Sequence, residues 1–491
     1  MLDAVIIGAG MGGLAAAVDL AARGKRVAVY EHAPTPGGKV AVALEDGVEF
    51  DTGPSLLTWP AVFEELFVRA GTTLAEHVRL IDHDPAFRYV WPDGTTLDMA
   101  RGREASIESV RRSLGPKAGE ELDRFLRYAE GIWNVAAPEF IEHDAPDFFG
   151  LLRRGLPGLR AASQIDAFAT MRGAIKDRVR SPHLAAILLR FATYTGSDPR
   201  RTPATLCSIA HVEMTLGAFG VAGGMIELVR ALSRLAINLG ASIHCGARVE
   251  RVLVDGGRAC GIALEGGTVI GARCVISNAE VGHLASLLPP TSRGVVQAPE
   301  ELTTSGVTFV SRARRRSGAA ARAAHTVLFS RDVDQEVADL FDGHMPPREP
   351  TVYVCAQEIA HQRTGWAEHE PIFAMGNAPA TRQARYDDGD LMTLRDRMRS
   401  RLVEHGILDP GDAIVWERGP RELEARFPDS GGALYGAASH GWSAAFRRTP
   451  NAIAALPGLF VASGSAHPGG GLPLAALSGR AAARAALRGL P

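Results

Sequence analysis

The sequence predicts an α/β fold in which a Rossmann-like nucleotide-binding domain carries an inserted α+β domain. Two observations lead to this prediction. The N-terminal residues read as strand, glycine-rich turn, helix and strand, which is the repeating unit of a doubly wound parallel sheet. A second strand, glycine-rich turn and helix follow Pro457, near the other end of the chain. Because 491 residues exceed what one hydrophobic core usually organises, the two distant elements are expected to share one discontinuous domain.

The N-terminal unit is defined by three runs of residues. Apolar residues predict a strand over 4–7 and a second strand over 26–30. Helical spacing predicts a helix over 11–22, and Gly24 is placed to end it. The strand, the helix and the second strand together form the β-α-β unit that a dinucleotide-binding domain requires.

The turn between the first strand and the helix has the pattern G-x-G-x-x-G, formed by Gly8, Gly10 and Gly13 and including Met11 and Gly12. The first glycine permits the tight turn, the second lets the backbone approach a pyrophosphate, and the third lets the helix pack closely on the strand. The helix N-terminus then presents free N–H groups and a positive dipole end. We therefore expect these residues to hold a dinucleotide, with a plain glycine turn as the alternative.

Two features after the second strand extend this expectation. Glu31 stands at the end of that strand, where a carboxylate can accept the ribose hydroxyls. Gly38 and Lys39 belong to the loop Pro-Gly-Gly-Lys, whose glycines permit close approach to a ligand. In flavin oxidoreductases such a loop continues the cofactor wall, so FAD is favoured over NAD. The alternative for Glu31 is an ordinary surface acid, and the alternative for the Pro-Gly-Gly-Lys loop is a simple turn.

The loop at residues 51–55 is the third candidate contact. Gly53, Pro54 and Ser55 are small or rigid, which suits a loop that passes near a ring system. An ordinary Gly-Pro turn is the alternative.

The C-terminal turn, residues 464–473, precedes a predicted helix over 474–487. The dipole of that helix would favour the negative charge that develops on a reduced flavin. His467 is more simply interpreted as a residue that fixes the loop by hydrogen bonds than as a catalytic group. The residues expected to contact the cofactor here are Gly464, Ser465, Gly471, Leu472 and Pro473.

Several other classes of function are disfavoured. The net charge of −2 argues against nucleic-acid binding. The five cysteines form no C-x-x-C pair, so neither a metal site nor a disulfide framework is expected, and a cytoplasmic location is the simplest interpretation. A second G-x-G-x-x-G unit is missing from the sequence, which argues against a nicotinamide site and leaves oxygen, a quinone or another membrane acceptor to reoxidise the flavin.

At this point the residues resemble a known family. The motifs at 8–13, 37–39, 51–54 and 467–471 are similar to those of the bacterial phytoene-desaturase-type carotenoid desaturases, over nearly the whole chain. Longer strings resemble the hydroxycarotenoid 3,4-desaturase branch, also called methoxyneurosporene dehydrogenase, more than phytoene desaturase itself. These strings lie at residues 190–196, 223–225, 351–357, 431–436 and 439–442.

The resemblance implies an amine-oxidase-like fold, a bound FAD and a backbone contact from Val249 to the adenine. It also implies that FAD-dependent hydride transfer places a 3,4 double bond in an acyclic carotenoid bearing a 1-hydroxy or 1-methoxy group. Many flavin oxidoreductases of this fold have Gly-Asp where this chain has Gly464-Ser465, and the carotenoid branch also lacks that acid. Phytoene desaturation is the runner-up. An amine-oxidase-like enzyme and a non-catalytic carrier of lipidated partners are the further alternatives.

The domain assignment follows from these elements. Residues 1–75, 215–285 and 445–491 are predicted to form the FAD-binding domain, and residues 76–214 and 286–444 the substrate domain, which faces the membrane. Peripheral membrane association is expected because carotenoids dissolve in bilayers, and residues 140–171 place apolar side chains beside basic ones. The sequence identifies no catalytic residue. Candidate substrate contacts, taken from the branch-like strings and the C-terminal turn, are Tyr194, His440, Trp442 and His467.

Overall fold

The computed structural model describes residues 1–142, 164–318 and 321–490. The apolar and basic residues at 148–154, which carried the predicted interfacial segment, lie outside the described residues.

A parallel sheet forms the centre of the nucleotide-binding part. Its strands pair so that Ile7 lies opposite both Tyr30 and Ser277, and the carboxyl ends of the strands meet at one edge. This edge is where open parallel sheets bind ligands. In spatial order the five strands are Ser242–Cys245, Val27–Glu31, Leu2–Ile7, Val269–Ser277 and Leu459–Val461.

The long strand Val269–Ser277 joins this sheet to an antiparallel extension. Its first residues pair with Arg258–Leu264, which in turn pairs with Val249–Asp255. The extension brings Val249, at the start of its strand, to the same edge as the glycine-rich turn.

Two helices cross closely on one face of the parallel sheet. Helix Met11–Ala21 is buried along its whole length and packs against Leu472–Leu487. A Cβ on Gly479 would lie 2.1 Å from the carbonyl oxygen of Gly12, so only glycine fits at this crossing. Helix Ile226–Asn238 also packs against the first helix. Both helices that begin at the ligand-binding edge are therefore held by one core.

A second sheet forms the substrate part. Within the described part of the chain it has seven strands, and their one parallel pair is His325–Leu328 with Phe87–Val90. In spatial order the strands are Ala413–Arg418, Ser305–Arg314, His369–Ala378, Val352–Ala356, His325–Leu328, Phe87–Val90 and Thr96–Met99.

Smaller elements connect the two sheets. Val42–Glu45 and Val48–Asp51 form a hairpin, and Ala218–Val221 pairs with both Leu57–Thr58 and Leu80–Ile81. The other α-helices are Ala61–Arg69, Arg103–Leu114, Pro116–Ala136, Met171–Arg178, Pro182–Arg190, Ser208–His211, Val281–Leu287, Val333–Phe341, Gln357–His361, Asp388–Glu404, Pro420–Arg426 and Ala444–Arg447. The short 3-10 and π turns are Leu74–Glu76, Ala137–Ile141, Phe191–Thr195, Ala204–Cys207, Val212–Leu216, Pro290–Val295 and Thr381–Gln383.

The α/β fold class predicted from the sequence is confirmed. The predicted N-terminal elements differ from the observed ones by one or two residues at their ends, which is the usual scatter of helix and strand termini. All strands of the first sheet fall within 1–75, 215–285 and 445–491, and all strands of the second within 76–214 and 286–444. The exact boundaries of the two predicted domains stay a prediction.

Within the described ranges, no helix is long and apolar enough to cross a bilayer.

Candidate functional site

A large cavity lies along the carboxyl edge of the parallel sheet. Its volume is about 290 Å³, and it receives residues from the N-terminus, the middle and the C-terminus of the chain. Thirteen of the seventeen predicted cofactor contacts line this first cavity: Gly8, Gly10, Met11, Gly12, Glu31, Gly38, Lys39, Gly53, Pro54, Val249, Gly464, Gly471 and Leu472.

The other four predicted cofactor contacts lie close to the first cavity without being among its lining residues. Gly13 packs the helix on the turn, because a Cβ there would lie 2.1 Å from the oxygen of Gly8. Ser55 and Pro473 line a second cavity. The hydroxyl of Ser465 is buried and accepts a hydrogen bond from the backbone N–H of Val281 at 3.0 Å.

The glycine-rich turn at residues 8–13 is hydrogen-bonded to Asn278, which the sequence did not single out. Its Oδ1 accepts a hydrogen bond from the Gly10 N–H at 2.9 Å, and its Nδ2 donates to the Ala462 oxygen. Among the described residues no side chain caps the helix that starts at Met11, so its first N–H groups remain available to an anion. Asn278 therefore fixes the glycine-rich turn to the C-terminal part of the chain, and the N–H groups at the start of the helix stay open to a phosphate.

Glu31 is buried at the end of its strand and lines the first cavity. Its Oε2 accepts from the Ala9 N–H at 2.7 Å and its Oε1 from the Ala33 N–H at 2.9 Å. Burial opposes ionisation of this carboxyl, but hydrogen bonds from His32, Ala33 and Ala9 outweigh it and lower its pKa. Glu31 is therefore a carboxylate at neutral pH, with lone pairs left to accept hydroxyl groups.

The charges around the first cavity favour an anion. Four cationic side chains line it against two carboxylates, and one of those carboxylates, Glu280, already pairs with Lys39 at 2.7 Å. The excess of positive charge matches a pyrophosphate dianion. The cationic residues are Lys39, Arg248, Arg418 and Arg426.

Arg418 gives the most direct indication of a missing partner. Its Nη2 donates to the Thr52 oxygen at 2.6 Å, whereas its buried Nη1 meets no acceptor anywhere in the described ranges. Burial lowers the pKa of this guanidinium to about 10, so it stays charged at neutral pH. A buried cation with an unpaired donor is unfavourable unless a ligand supplies the acceptor. The cavity therefore fits FAD, which carries both phosphate and ring acceptors.

Asp51 explains why the loop at 51–55 is rigid. It is buried and accepts from the Met225 N–H at 2.8 Å and from Nη2 of Arg363 at 3.1 Å. Burial raises its pKa to about 6, although Arg363 opposes the shift. These contacts fix Gly53 and Pro54 at the wall of the first cavity, and Asp51 itself lines neither cavity.

A second cavity of about 270 Å³ joins the first. Much of its wall is apolar, with side chains such as Leu189, Phe329 and Leu340. Seven residues line both cavities and so mark their junction: Gly53, Pro54, Phe373, Met375, Tyr435, Gly471 and Leu472. Molecules bound in the two cavities would therefore have these seven residues as common neighbours.

Several polar side chains also line the second cavity, but most are paired with neighbours. The hydroxyl of Tyr194 donates to Glu213 and accepts from Arg190 at 3.1 Å. The hydroxyl of Tyr353 shares a hydrogen bond of 2.9 Å with Nδ1 of His325. These hydroxyls are consequently occupied within the protein.

Glu336 is a further paired group on this wall. Its carboxylate accepts from the backbone N–H of Thr351 at 2.8 Å and from the Thr351 hydroxyl at 2.6 Å. Burial raises the pKa of Glu336, while the hydrogen bonds from Thr351 oppose the rise.

Only one of the four predicted substrate contacts lines either cavity, and it is Tyr194. His440 is buried between Glu301, at 2.6 Å, and the backbone N–H of Asp198, at 3.0 Å. His467 is buried near the C-terminal turn, and the ring of Trp442 is half exposed on the surface. Phe373 and Met375 carry no signal in the sequence, because a single apolar or aromatic residue in a strand is usually core. Tyr435 lies in the branch-like string 431–436, but nothing in that string distinguishes it as a junction residue.

No cluster of three His, Cys, Asp or Glu side chains suited to a metal ion occurs in the described ranges.

Comparison with known proteins places these features in context. A model of the flavin containing amine oxidoreductases matches residues 11–348. The chain is 35% identical to a hydroxyneurosporene desaturase of Rubrivivax gelatinosus, over 98% of this chain and 92% of that protein. It is 35% identical to the hydroxyneurosporene desaturase of Rhodobacter capsulatus, over 99% and 97% of the two chains. Wild-type putrescine oxidase bound to putrescine has a similar fold, with a TM-score of 0.63 at 14% identity, over 99% and 98% of the chains.

Proposed function

The chain belongs to the flavin containing amine oxidoreductase family, and we propose that within it the protein is an FAD-dependent desaturase of acyclic carotenoids. More specifically, it introduces a 3,4 double bond into carotenoids that carry a 1-hydroxy or 1-methoxy group. The observation that carries the proposal is the junction of the first cavity, which the predicted cofactor contacts line, with a largely apolar second cavity at seven shared residues. The relatives named hydroxyneurosporene desaturase support the same chemistry.

FAD, when bound, supplies a hydride acceptor for one of the two hydrogens that desaturation removes. The protein's own residues hold that group and position the substrate. Gly8, Gly10 and the helix N-terminus at Met11 would hold the phosphates of FAD, and Glu31 would accept its ribose hydroxyls. Arg418 offers its unpaired Nη1 to an acceptor at the Thr52 end of the first cavity.

The second cavity contributes orientation and exclusion of water. An extended polyene delocalises positive charge at the reacting carbon, so the reaction depends on placement in a dry slot more than on a strong acid or base. Phe373, Met375 and Leu472 supply apolar surface on the wall where the two cavities meet. The hydroxyls of Tyr194 and Tyr353 already bond to neighbouring side chains, so they need no hydrogen-bond partner in the substrate.

The experiment is direct conversion. The FAD-loaded protein in liposomes is given a 1-hydroxy acyclic carotenoid or phytoene in separate reactions, and the products are separated and identified by their absorption spectra. We expect the hydroxylated substrate to gain one conjugated double bond and phytoene to remain. Coloured products from phytoene, with the hydroxylated substrate untouched, would instead identify a phytoene desaturase. Oxidation of amines with neither carotenoid converted would favour an amine-oxidase-like enzyme.

We also propose that the protein binds the membrane surface. The side chains of Phe168 and Trp442 are 77% and 47% exposed, and the centroids of their rings lie 5.8 Å apart. Arg447 lies nearby and donates to the backbone oxygen of His440. Exposed aromatic side chains beside a cation suit the lipid headgroup region, where a carotenoid would enter.

For the electron acceptor we propose a membrane quinone or oxygen. The sequence contains one G-x-G-x-x-G turn, at residues 8–13, and FAD would occupy it. Reduced enzyme mixed with oxygen or with a soluble quinone, and followed by the return of oxidised flavin absorbance, distinguishes the two acceptors. Faster reoxidation by a nicotinamide than by either acceptor would contradict the proposal.

A further inference from the structure

Among the described residues, the junction of the two cavities contains one side chain that can donate a hydrogen bond. Of the seven residues that line both cavities, six are glycine, proline, phenylalanine, methionine or leucine, and the seventh is Tyr435. Tyr435 is therefore the one junction residue whose side chain can distinguish a polar from an apolar substrate group.

The hydroxyl of Tyr435 has no partner within the described part of the chain. The hydrogen bond recorded for this residue is made by its backbone N–H, which donates to the Thr303 hydroxyl at 3.1 Å. Burial alone raises the pKa of the phenol to about 12, with no contribution from a neighbouring charge or hydrogen bond. By contrast, Tyr194 is bonded to Glu213 and Tyr353 to His325.

The position of Tyr435 is fixed by the surrounding backbone. A Cβ on Gly470 would lie 2.7 Å from the Cβ of Tyr435, so the C-terminal glycine turn packs directly against it. A Cβ on Gly436, the next residue, would lie 2.5 Å from the Cβ of Ser465. The backbone at Tyr435 and Gly436 is thus packed against the C-terminal glycine turn, which fixes where the phenol starts.

We propose that Tyr435 recognises the oxygen at C1 of the carotenoid end group by donating a hydrogen bond to it. This inference rests on the proposed function. The reacting carbons C3 and C4 must meet the cofactor at the junction, and C1 is only two bonds from C3. Its oxygen must then also lie at the junction, where Tyr435 is the available side-chain donor.

The chemistry of the two substrate types agrees with this role. A hydroxyl and a methoxy oxygen both accept a hydrogen bond, whereas a hydrocarbon end group does not. A hydrocarbon would bury the phenol without a partner, which is the costly situation for a polar group. Tyr435 therefore selects against carotenoids that lack the C1 oxygen.

The test compares wild type with Tyr435→Phe, using 1-hydroxy, 1-methoxy and unsubstituted forms of one acyclic carotenoid. We expect wild type to have a higher kcat/KM for both oxygenated substrates than for the hydrocarbon. In the variant the ratio of these kcat/KM values should fall about tenfold. Conversion of the hydrocarbon should be unchanged or improved. Flavin content, flavin affinity and the flavin absorption spectrum should stay the same, because the phenol acts on the substrate.

Tyr353→Phe is the matched control, since it removes a phenolic oxygen from the same cavity whose hydrogen bond is already made to His325. Its preference ratio should stay close to that of wild type. Asn377 and Thr304 also line the second cavity, and the Thr304 hydroxyl has no partner in the described residues. Asn377→Leu and Thr304→Val therefore test the rival donors: loss of preference in either variant, with Tyr435→Phe unaffected, would overturn the inference.

Other results separate the inference from the proposed function. If Tyr435→Phe lowers conversion of all three substrates equally, or weakens flavin binding, Tyr435 supports the cofactor and the inference fails while the desaturase remains. If wild type converts the hydrocarbon as well as the oxygenated forms, the inference fails together with the 3,4 specificity. If wild type converts no carotenoid, the proposed function itself fails.

Discussion

Oδ1 of Asn278 accepts a hydrogen bond from the N–H of Gly10 at 2.9 Å, across 268 positions of sequence. The same amide donates to the oxygen of Ala462, at the end of the last strand of the parallel sheet. One side chain thus ties together the N-terminal, middle and C-terminal pieces of the nucleotide site. The phosphate turn consequently has little freedom to move when a neighbouring side chain is enlarged.

The first prediction concerns Gly10→Val. A Cβ at this position would lie 2.6 Å from Oδ1 of Asn278, so the branched side chain displaces the amide and also obstructs the path of a pyrophosphate. We expect purified protein with less than about a tenth of the wild-type flavin content, measured by absorbance after desalting.

Gly131→Ala is the control for this variant. Gly131 lies exposed within helix Pro116–Ala136, and an added Cβ meets nothing within 4 Å. Alanine there should keep full flavin content and leave the melting temperature unchanged or slightly higher. Full flavin absorbance in Gly10→Val would contradict the assignment of the phosphate site.

The second prediction concerns Arg418→Met. The guanidinium is buried with an unpaired Nη1, so it destabilises the cofactor-free protein relative to a side chain of similar length without charge. We expect the variant to bind FAD at least tenfold more weakly, since a hydrogen bond to a charged group contributes roughly 1.5–3 kcal/mol. The melting temperature of the cofactor-free protein should stay the same or rise.

Both quantities are measurable on the same preparation, by flavin fluorescence titration and by thermal unfolding. A fall in apo-protein stability with unchanged FAD affinity would mean that Arg418 serves the fold through its bond to Thr52. Arg399→Met, whose guanidinium bonds the backbone oxygens of Pro410 and Asp412 away from the first cavity, is a suitable control for losing an arginine.

The third prediction concerns the pH dependence of Glu31. Its pKa is lower in the folded protein than its ordinary value of 4.5. The carboxylate therefore contributes stability that is present above pH 4.5 and is lost as pH falls through the folded-state pKa. In Glu31→Gln the amide cannot accept from both Ala9 and Ala33 with equal effect, so the variant should melt lower than wild type at pH 7.

The difference in melting temperature between wild type and Glu31→Gln should shrink as the pH is lowered below 4.5. Glu45→Gln, in the exposed hairpin, should show no such pH-dependent difference. A constant difference across the whole pH range would mean that the amide perturbs packing rather than removing a stabilising charge.

Much of the candidate cofactor site is predictable from the sequence because its signals are local. The glycine turn at 8–13 and the acid that follows the second strand lie within one β-α-β unit, where spacing fixes geometry. Asn278 and Arg418 had no comparable signal, since each reaches the site from a strand or loop far away in the chain. Tyr435 is defined only by the meeting of two cavities, which no spacing within one segment encodes.

The substrate contacts illustrate the same limit. Tyr194, His440 and Trp442 lie in strings that resemble one branch of a family, yet of these three only Tyr194 lines a cavity. His440 sits in the same type of string but is occupied by Glu301 and Asp198. The resemblance identifies segments of the chain, whereas the direction in which each side chain of a segment points depends on tertiary packing.

The fourth prediction concerns the membrane surface. Phe168 and Trp442 form an exposed aromatic pair, and replacing both by serine removes the apolar surface that would enter the headgroup region. We expect the double variant to float less with anionic liposomes than wild type, with unchanged flavin content. Met392→Ser, at a side chain that is 54% exposed on helix Asp388–Glu404, should float like wild type. Wild-type protein that stays at the bottom of the gradient would contradict membrane binding altogether.

The fifth prediction separates the two cavities. Leu189 lines the second cavity but not the first, so Leu189→Trp fills space that the carotenoid needs while leaving the flavin contacts in place. We expect conversion of a 1-hydroxy carotenoid to fall more than tenfold, because an overpacked slot misplaces the reacting carbons. The flavin absorption spectrum and FAD affinity should match those of wild type.

Leu44→Trp, at an exposed position in the hairpin Val42–Glu45, controls for adding an indole to the protein. The flavin spectrum makes the test specific. A tryptophan that unfolded the region near residue 189 would also displace Pro54 and Leu472, which line both cavities, and would change the flavin spectrum. Wild-type turnover in Leu189→Trp with normal flavin would mean that the substrate does not occupy the second cavity. The carotenoid would then have to reach the cofactor through the first cavity alone.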